Sequence, residues 1–179
     1  FCSFDDPSGP NLTIDMWPDI SELGEDELYP TNLRLPSGET ARLYSAWNER
    51  TVVRHFKWMA DYGIDGIYLQ RFSCELGDPR FFQVRNKVTA SVRKGAEQHG
   101  RQFAIMYDIS NQNASILVST VVNDWKMLVD SLTVTNSPSY LRVNGLPVVC
   151  IWGLGFIDRP GTVAQADSII SFFRSATDS

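Results

Sequence analysis

From Thr51 onward the chain repeats one phrase: an amphipathic stretch, a glycine, then a short apolar run closed by a polar or aromatic side chain. Thr51 can cap a helix whose apolar positions Val52, Phe56, Met59 and Ala60 recur at helical spacing. Gly63 ends that helix in the left-handed conformation glycine tolerates best, and Gly66-Ile-Tyr-Leu-Gln70 follows as a strand. A second helix opens at Asp78-Pro79, with Asp as cap and Pro in the first turn, and runs through Phe82, Val84, Val88 and Val92 to Gly100. The strand Gln102-Phe-Ala-Ile-Met-Tyr-Asp108 comes next. Asp61-Tyr-Gly63 and Gln98-His-Gly100 thus hold the same place, each closing a helix just before a strand. A third helix is expected over Ser115–Leu132, then an extended piece Tyr140–Val143 turning at Asn144-Gly145. The strand Pro147–Trp152 and a last helix over Thr162–Ala176 complete the series.

Strands alternating with helices form parallel βαβ units, so the fold class is α/β. A doubly wound sheet for a phosphate-bearing ligand would show a glycine-rich turn after its first strand, and neither G-x-G-x-x-G nor a P-loop occurs. That argues against a flavodoxin-like binder and leaves a (β/α)8 TIM-type barrel. A whole one takes about 250 residues, more than the 179 here. Residues 49–179 are therefore expected to form the N-terminal part of such a barrel, with its C-terminal half absent. Residues 1–48 hold five of the nine prolines and little periodicity. They read as a long loop roofing the barrel mouth, with short extended pieces at Leu12–Ile14 and Arg42–Tyr44.

Composition narrows the function. A net charge of −5 with scattered Lys and Arg gives no phosphate-binding surface, so no nucleic-acid partner is expected. Nor is there a membrane span or signal peptide in the sequence. Aromatics make up 12%, with five Trp, which suits stacking on sugars and a large core equally. Cys2, Cys74 and Cys150 show no metal spacing; Cys150 reads as a buried thiol, and Cys2 and Cys74 are either free or paired in an oxidising compartment. Neither a metal nor another cofactor is implied. The sequons at Asn11 and Asn113 are short enough to arise by chance.

The chemistry-bearing positions are strand ends. Alternation puts Tyr68 and Gln70 on one side of their strand and Ile67 and Leu69 on the other. It likewise groups Ala104, Met106 and Asp108, and Val148, Cys150 and Trp152. Gln70, Asp108 and Trp152 then share the carboxyl-end mouth where barrel active sites lie. Asp108 either binds sugar hydroxyls or anchors its loop. Trp152 either stacks on a pyranose or plugs the barrel top. Arg71 either clamps a hydroxyl or acidic sugar or pairs with Glu75 or Asp78. Together with Tyr107 these are the candidate substrate-binding residues. His55, beside Phe56 and Trp58, reads as packing, and His99 as a helix C-cap. Glu22, Glu25, Asp26 and Glu27 read as a solvated run. No Ser-His-Asp set is discernible, and no carboxylate pair of the glycosidase kind stands at a strand end.

Several phrases together resemble a known group. Asp15-Met-Trp-Pro-Asp-Ile-Ser-Glu22, His55-Phe-Lys-Trp-Met59 with Tyr62-Gly-Ile-Asp-Gly66, Tyr68-Leu-Gln-Arg-Phe72, Met106-Tyr-Asp-Ile-Ser110 and Ile151-Trp-Gly-Leu-Gly-Phe156 are similar to barrel proteins related to glycoside hydrolase family 99, often labelled xylosidase/arabinosidase. Phe103–Asp108 also resembles a strand of the family 71 α-1,3-glucanases. The likeness runs from residue 12 to 174. It implies a secreted or periplasmic hydrolase of α-linked polysaccharides or oligosaccharides, with its acids in a later Glu-x-x-Glu-like stretch that no position here matches. A longer opening, carrying the first strand and a Trp/His-rich turn, is usual in the group before the position of Asp15. The rival expectation is a non-catalytic carbohydrate-binding or structural remnant of such a barrel.

Overall fold

A computed structural model describes residues 16–175. The extended piece expected at 12–14, Cys2 and the Asn11 sequon lie outside them. The chain divides between Val52 and Val53 into two compact units.

In the first unit, residues 28–44 of the expected loop form a two-stranded antiparallel ribbon, β1 (Leu28–Arg34) with β2 (Thr40–Tyr44). The pairing is regular from Leu28↔Tyr44 to Pro30↔Arg42 and then slips before Arg34↔Thr40. Pro30 has no N–H to give a ladder, and just beyond it the buried Thr31 hydroxyl donates to the Ala41 carbonyl at 2.9 Å. Gly38, at φ 88°, makes the connecting turn. The acidic run is not wholly solvated. Glu27 is fully buried: one carboxylate oxygen accepts from the Gly24 N–H at 2.9 Å and the other from the buried Thr51 hydroxyl at 3.2 Å. Glu25 instead forms an exposed fork with Arg42, at 2.5 and 2.9 Å.

That use of Thr51 corrects its expected role. Helix α1 (Glu49–Asp61) starts earlier, and the Asn48 side chain accepts from the Arg50 N–H at 3.0 Å in the capping position.

The second unit is built on β3 (Gly66–Phe72), β4 (Gln102–Asp108) and β7 (Val149–Trp152), which form one parallel sheet in the order β3-β4-β7. Residues Gly66 to Phe72 face Gln102 to Asp108 one for one, and Ile105 to Asp108 face Val149 to Trp152. Between β3 and β4 runs α2 (Pro79–His99), capped by the Asp78 carboxylate on the Arg80 N–H and ended by Gly100 at φ 60°. After β4, Asn113 caps a 3-10 turn, Ala114–Ile116, so α3 (Leu117–Asp130) begins slightly later than expected. Asn144 and Gly145, both at positive φ, turn a small hairpin of β5 (Arg142–Val143) and β6 (Leu146–Pro147). Pro147 therefore belongs to that hairpin rather than to the following strand.

Tyr140 bridges to Phe103, so the flank of β4 is covered first by residues near Tyr140 and then, after the hairpin, by β7. Helix α4 (Val163–Ser175) follows, opened by reciprocal bonds between Thr162 and Gln165.

The core of this unit lies where central β4 meets α2 and α3. Phe103, Ile105 and Tyr107 are fully buried, as are Leu117, Val121 and Leu128 of α3 and Ala96 of α2. Among the described residues the architecture is mixed α/β, with a three-stranded parallel sheet and four α-helices.

Candidate functional site

Pleating divides each strand between two environments. On β3, Arg71 is fully buried while Tyr68 is 52% exposed; on the edge strand, Trp152 is 48% exposed. The helix-covered side is therefore closed around Arg71, and the opposite side is open at Tyr68 and Trp152 of the two outer strands. On that open side, at the carboxyl ends of the three strands, Gln70, Asp108 and Trp152 come together as their parity requires. The Gln70 amide nitrogen donates to Asp108 Oδ2 at 2.6 Å. Asp108 and Trp152 are register partners on neighbouring strands.

Asp108 is held as well as presented. Its Oδ1 accepts from the Ser110 N–H at 2.8 Å, a turn that fixes the start of the loop. Its carbonyl accepts from the Ser73 hydroxyl at 3.0 Å. Of the two roles weighed for this residue, the loop anchor is present, in a carboxylate that is only 4% exposed and also takes the Gln70 amide. Trp152 meets Phe156 edge to face at 5.5 Å, giving a two-ring corner beside it. Gly153, at φ 104°, carries the chain away from the indole; a Cβ there would lie 2.9 Å from the Ile109 side chain.

Arg71 and Tyr107 are not part of that face. Each is one residue out of phase with its neighbour Gln70 or Asp108, so its side chain turns toward the helices. Arg71 donates through Nε and one terminal nitrogen to the two oxygens of Asp124 on α3, at 2.9 and 2.6 Å. It also reaches Thr89 at 3.1 Å and Asn86 at 2.9 Å on α2. The Tyr107 hydroxyl donates to the same Asp124 at 2.8 Å. Burial, with the Asp124 carboxylate adding to it, holds the Tyr107 phenol well above its ordinary range, so it stays a neutral donor. Arg71 therefore pairs with neither Glu75 nor Asp78. Glu75 accepts from Arg85, with Nε at 2.8 Å, and Asp78 pairs with Arg80 at 3.1 Å.

Asp124 escaped the sequence reading, although a signal was there. It lies on the buried stripe of α3, between Val121 and Leu128. A carboxylate on such a stripe needs a partner.

Cys74 and Cys150 are free thiols. Cys150 is half-buried rather than enclosed, and it bonds with the Tyr68 side chain. Burial raises both thiols; Glu75, and more weakly Asp108, raise Cys74 further, which keeps it protonated and unreactive near neutrality. His55 stacks on Trp58 at 5.3 Å, as a packing residue does. Among the described residues no group of His, Cys, Asp and Glu is arranged to hold a metal ion. No helix among them is long and apolar enough to cross a membrane.

No family model matches the chain, and no curated protein does. Among solved structures, the GH99 endo-alpha-mannosidase from Bacteroides thetaiotaomicron, in complex with BIS-TRIS-propane, is similar at 15% identity and a TM-score of 0.46. The match covers 70% of this chain and 32% of that one, so this chain spans about a third of that protein's length. Likeness of that degree fixes neither substrate nor reaction.

Proposed function

We propose that this chain is the N-terminal part of a (β/α)8 barrel of glycoside-hydrolase type, secreted and acting on α-linked glycans of the mannan, glucan or xylan/arabinan kind. Gln70, Asp108 and Trp152 form one side of its glycan groove. The observation that supports this is the convergence of an amide, a carboxylate and a half-exposed indole on one face, at the carboxyl ends of three consecutive parallel strands. In barrels of this design that end carries the site. The indole offers a flat surface to the apolar face of a pyranose, with the Phe156 ring set edge to face beside it, while Asp108 and Gln70 accept and donate to its hydroxyls. Arg71 and Tyr107 serve the groove only from behind the sheet.

Hydrolysis needs an acid and a nucleophile or base set roughly 5 to 10 Å apart. In this chain Glu75, the acid that follows β3, is engaged by Arg85. We place the catalytic pair on later strand ends of the complete barrel. A second function, carbohydrate binding without turnover, is favoured by the same engagement of Glu75.

The test is titration of the purified chain with α-linked manno-, gluco- and arabinoxylo-oligosaccharides, followed by NMR shifts and by product analysis. Weak binding is expected, with shifts centred on Gln70, Asp108 and Trp152 and with no hydrolysis. Trp152→Ala removes a stacking face worth about 1 kcal/mol, a loss of roughly fivefold in affinity. Asp108→Ala removes a charged acceptor worth about 1.5–3 kcal/mol, or at least tenfold. Binding that ignores both substitutions would move the groove elsewhere, and turnover would mean that a catalytic pair already stands in this chain.

A further inference from the structure

Asp124 lies on the far side of the sheet from the open face, yet its three bonds converge on the residues that flank the candidate site. Arg71 is the neighbour of Gln70, and Tyr107 the neighbour of Asp108. Arg71 and Tyr107 are also register partners across the β3–β4 ladder. One carboxylate therefore ties both strands at a single rung: Oδ2 takes Arg71 Nε at 2.9 Å and the Tyr107 hydroxyl at 2.8 Å, and Oδ1 takes the other arm of the guanidinium at 2.6 Å. On the opposite face, the Gln70–Asp108 bond spans the same two strands at 2.6 Å.

We propose that Asp124 is a positioning residue: by fixing Arg71 and Tyr107 from behind, it sets the spacing and orientation of the Gln70–Asp108 pair on the open face. The functional meaning rests on the glycan-groove reading above, but the mechanical coupling does not. Strands are stiff along their length and soft against lateral slip at their ends, where the ladder stops. The Ser73 hydroxyl restrains that end by donating to the Asp108 carbonyl, without touching either side chain of the Gln70–Asp108 pair. The Asp124 clamp restrains it through side chains whose own environment is dry. The Asp124 and Arg71 side chains are 3% and 1% exposed, so water does not compete for these bonds. The bond from Gln70 to Asp108 is sensitive to the spacing of the two strands, because a hydrogen bond weakens as donor and acceptor move beyond about 3.2 Å.

The experiment uses the whole chain with no glycan present, so its outcome is independent of whether the groove binds sugar. The Gln70 side-chain amide is observed by proton–nitrogen NMR and assigned by its loss in Gln70→Ala. Hydrogen exchange of that amide and the melting temperature are measured in Tyr107→Phe and Asp124→Asn. Ile169→Val, a change at a fully buried α4 position that makes none of the clamp's bonds, is the control for general loss of stability. Tyr107→Phe keeps the ring and removes one bond, so it keeps the test alive if Asp124→Asn does not fold.

The expected result is a Gln70 amide that shifts toward the free-amide position and exchanges at least about tenfold faster in Tyr107→Phe, while Ile169→Val leaves it in place. An unchanged Gln70 amide in folded Tyr107→Phe overturns the proposal and leaves Asp124 as a stabilising residue only. An equal change in the control overturns it too.

Discussion

Arg71 carries a charge through a region with almost no water, and its neighbours show how that is sustained. A lone guanidinium there would be strongly disfavoured, but Asp124 balances the charge while Asn86 and Thr89 take other donors. Such a pair adds little over an apolar equivalent, whereas removing one member strands the other. Arg71→Ala is therefore expected to lower stability by about 3–5 kcal/mol in urea denaturation, and Arg71→Met by less. The buried tyrosines make a separate pH prediction. Tyr107 and Tyr140 are both raised above the ordinary value of 10.0, each chiefly by burial. The folded state keeps both phenols protonated where the unfolded chain begins to lose them. Their contribution is complete below about pH 10 and declines above it, by roughly 1.4 kcal/mol per pH unit for each tyrosine. Alkaline titration monitored at the tyrosinate band is expected to show their ionisation only as the fold opens. A normal, reversible titration of every tyrosine before unfolding would contradict this burial.

Among the elements, the close approach of α1 to α2 depends on Gly95. A Cβ at that position would lie 2.6 Å from the ring of Phe56, which is itself 1% exposed. Alanine favours an isolated helix over glycine by about 1 kcal/mol, but overpacking of a tight contact costs about 1–3 kcal/mol. Gly95→Ala is thus expected to destabilise the chain in thermal melts, and pairing it with Phe56→Leu should recover part of the loss. Glycines whose duty is local were readable from the sequence: Gly63 and Gly100 adopt positive φ where their helices stop. The duty of Gly95 was not readable, because it is set by a ring 39 positions earlier in the chain. The same distinction runs through the site. Strand parity alone brought Gln70, Asp108 and Trp152 to one face, and applied to Arg71 and Tyr107 it also turns them away. The partner of Arg71 is 53 residues distant and could not be read from spacing. The ribbon of β1 and β2 was hidden because Pro30 and the slipped register remove the alternation by which strands are recognised.

At the scale of the whole molecule, the parallel sheet has β3 and β7 as its outer strands among the described residues. Parallel sheets are normally buried on both faces. Here one face leaves Tyr68 and Trp152 about half exposed. Beside β7 an open groove of about 1230 Å³ runs between α3 and α4, lined by Val149, Ile151, Leu154 and Phe173 among others. An outer strand with unpaired backbone groups and apolar flanks is a template for another chain. The chain is therefore expected to self-associate in solution, with an average mass that rises over the micromolar range in sedimentation equilibrium. Val149→Lys places a charge on that edge without touching Gln70, Asp108 or Trp152, and it should shift the equilibrium toward monomer while leaving circular dichroism unchanged. Glycan binding by the monomeric variant should then match that of the parent, because the groove lies on the other face. A parent chain that sediments as a monomer at all these concentrations and unfolds in one cooperative step would show that the three-stranded sheet is self-sufficient, with its outer strands already protected.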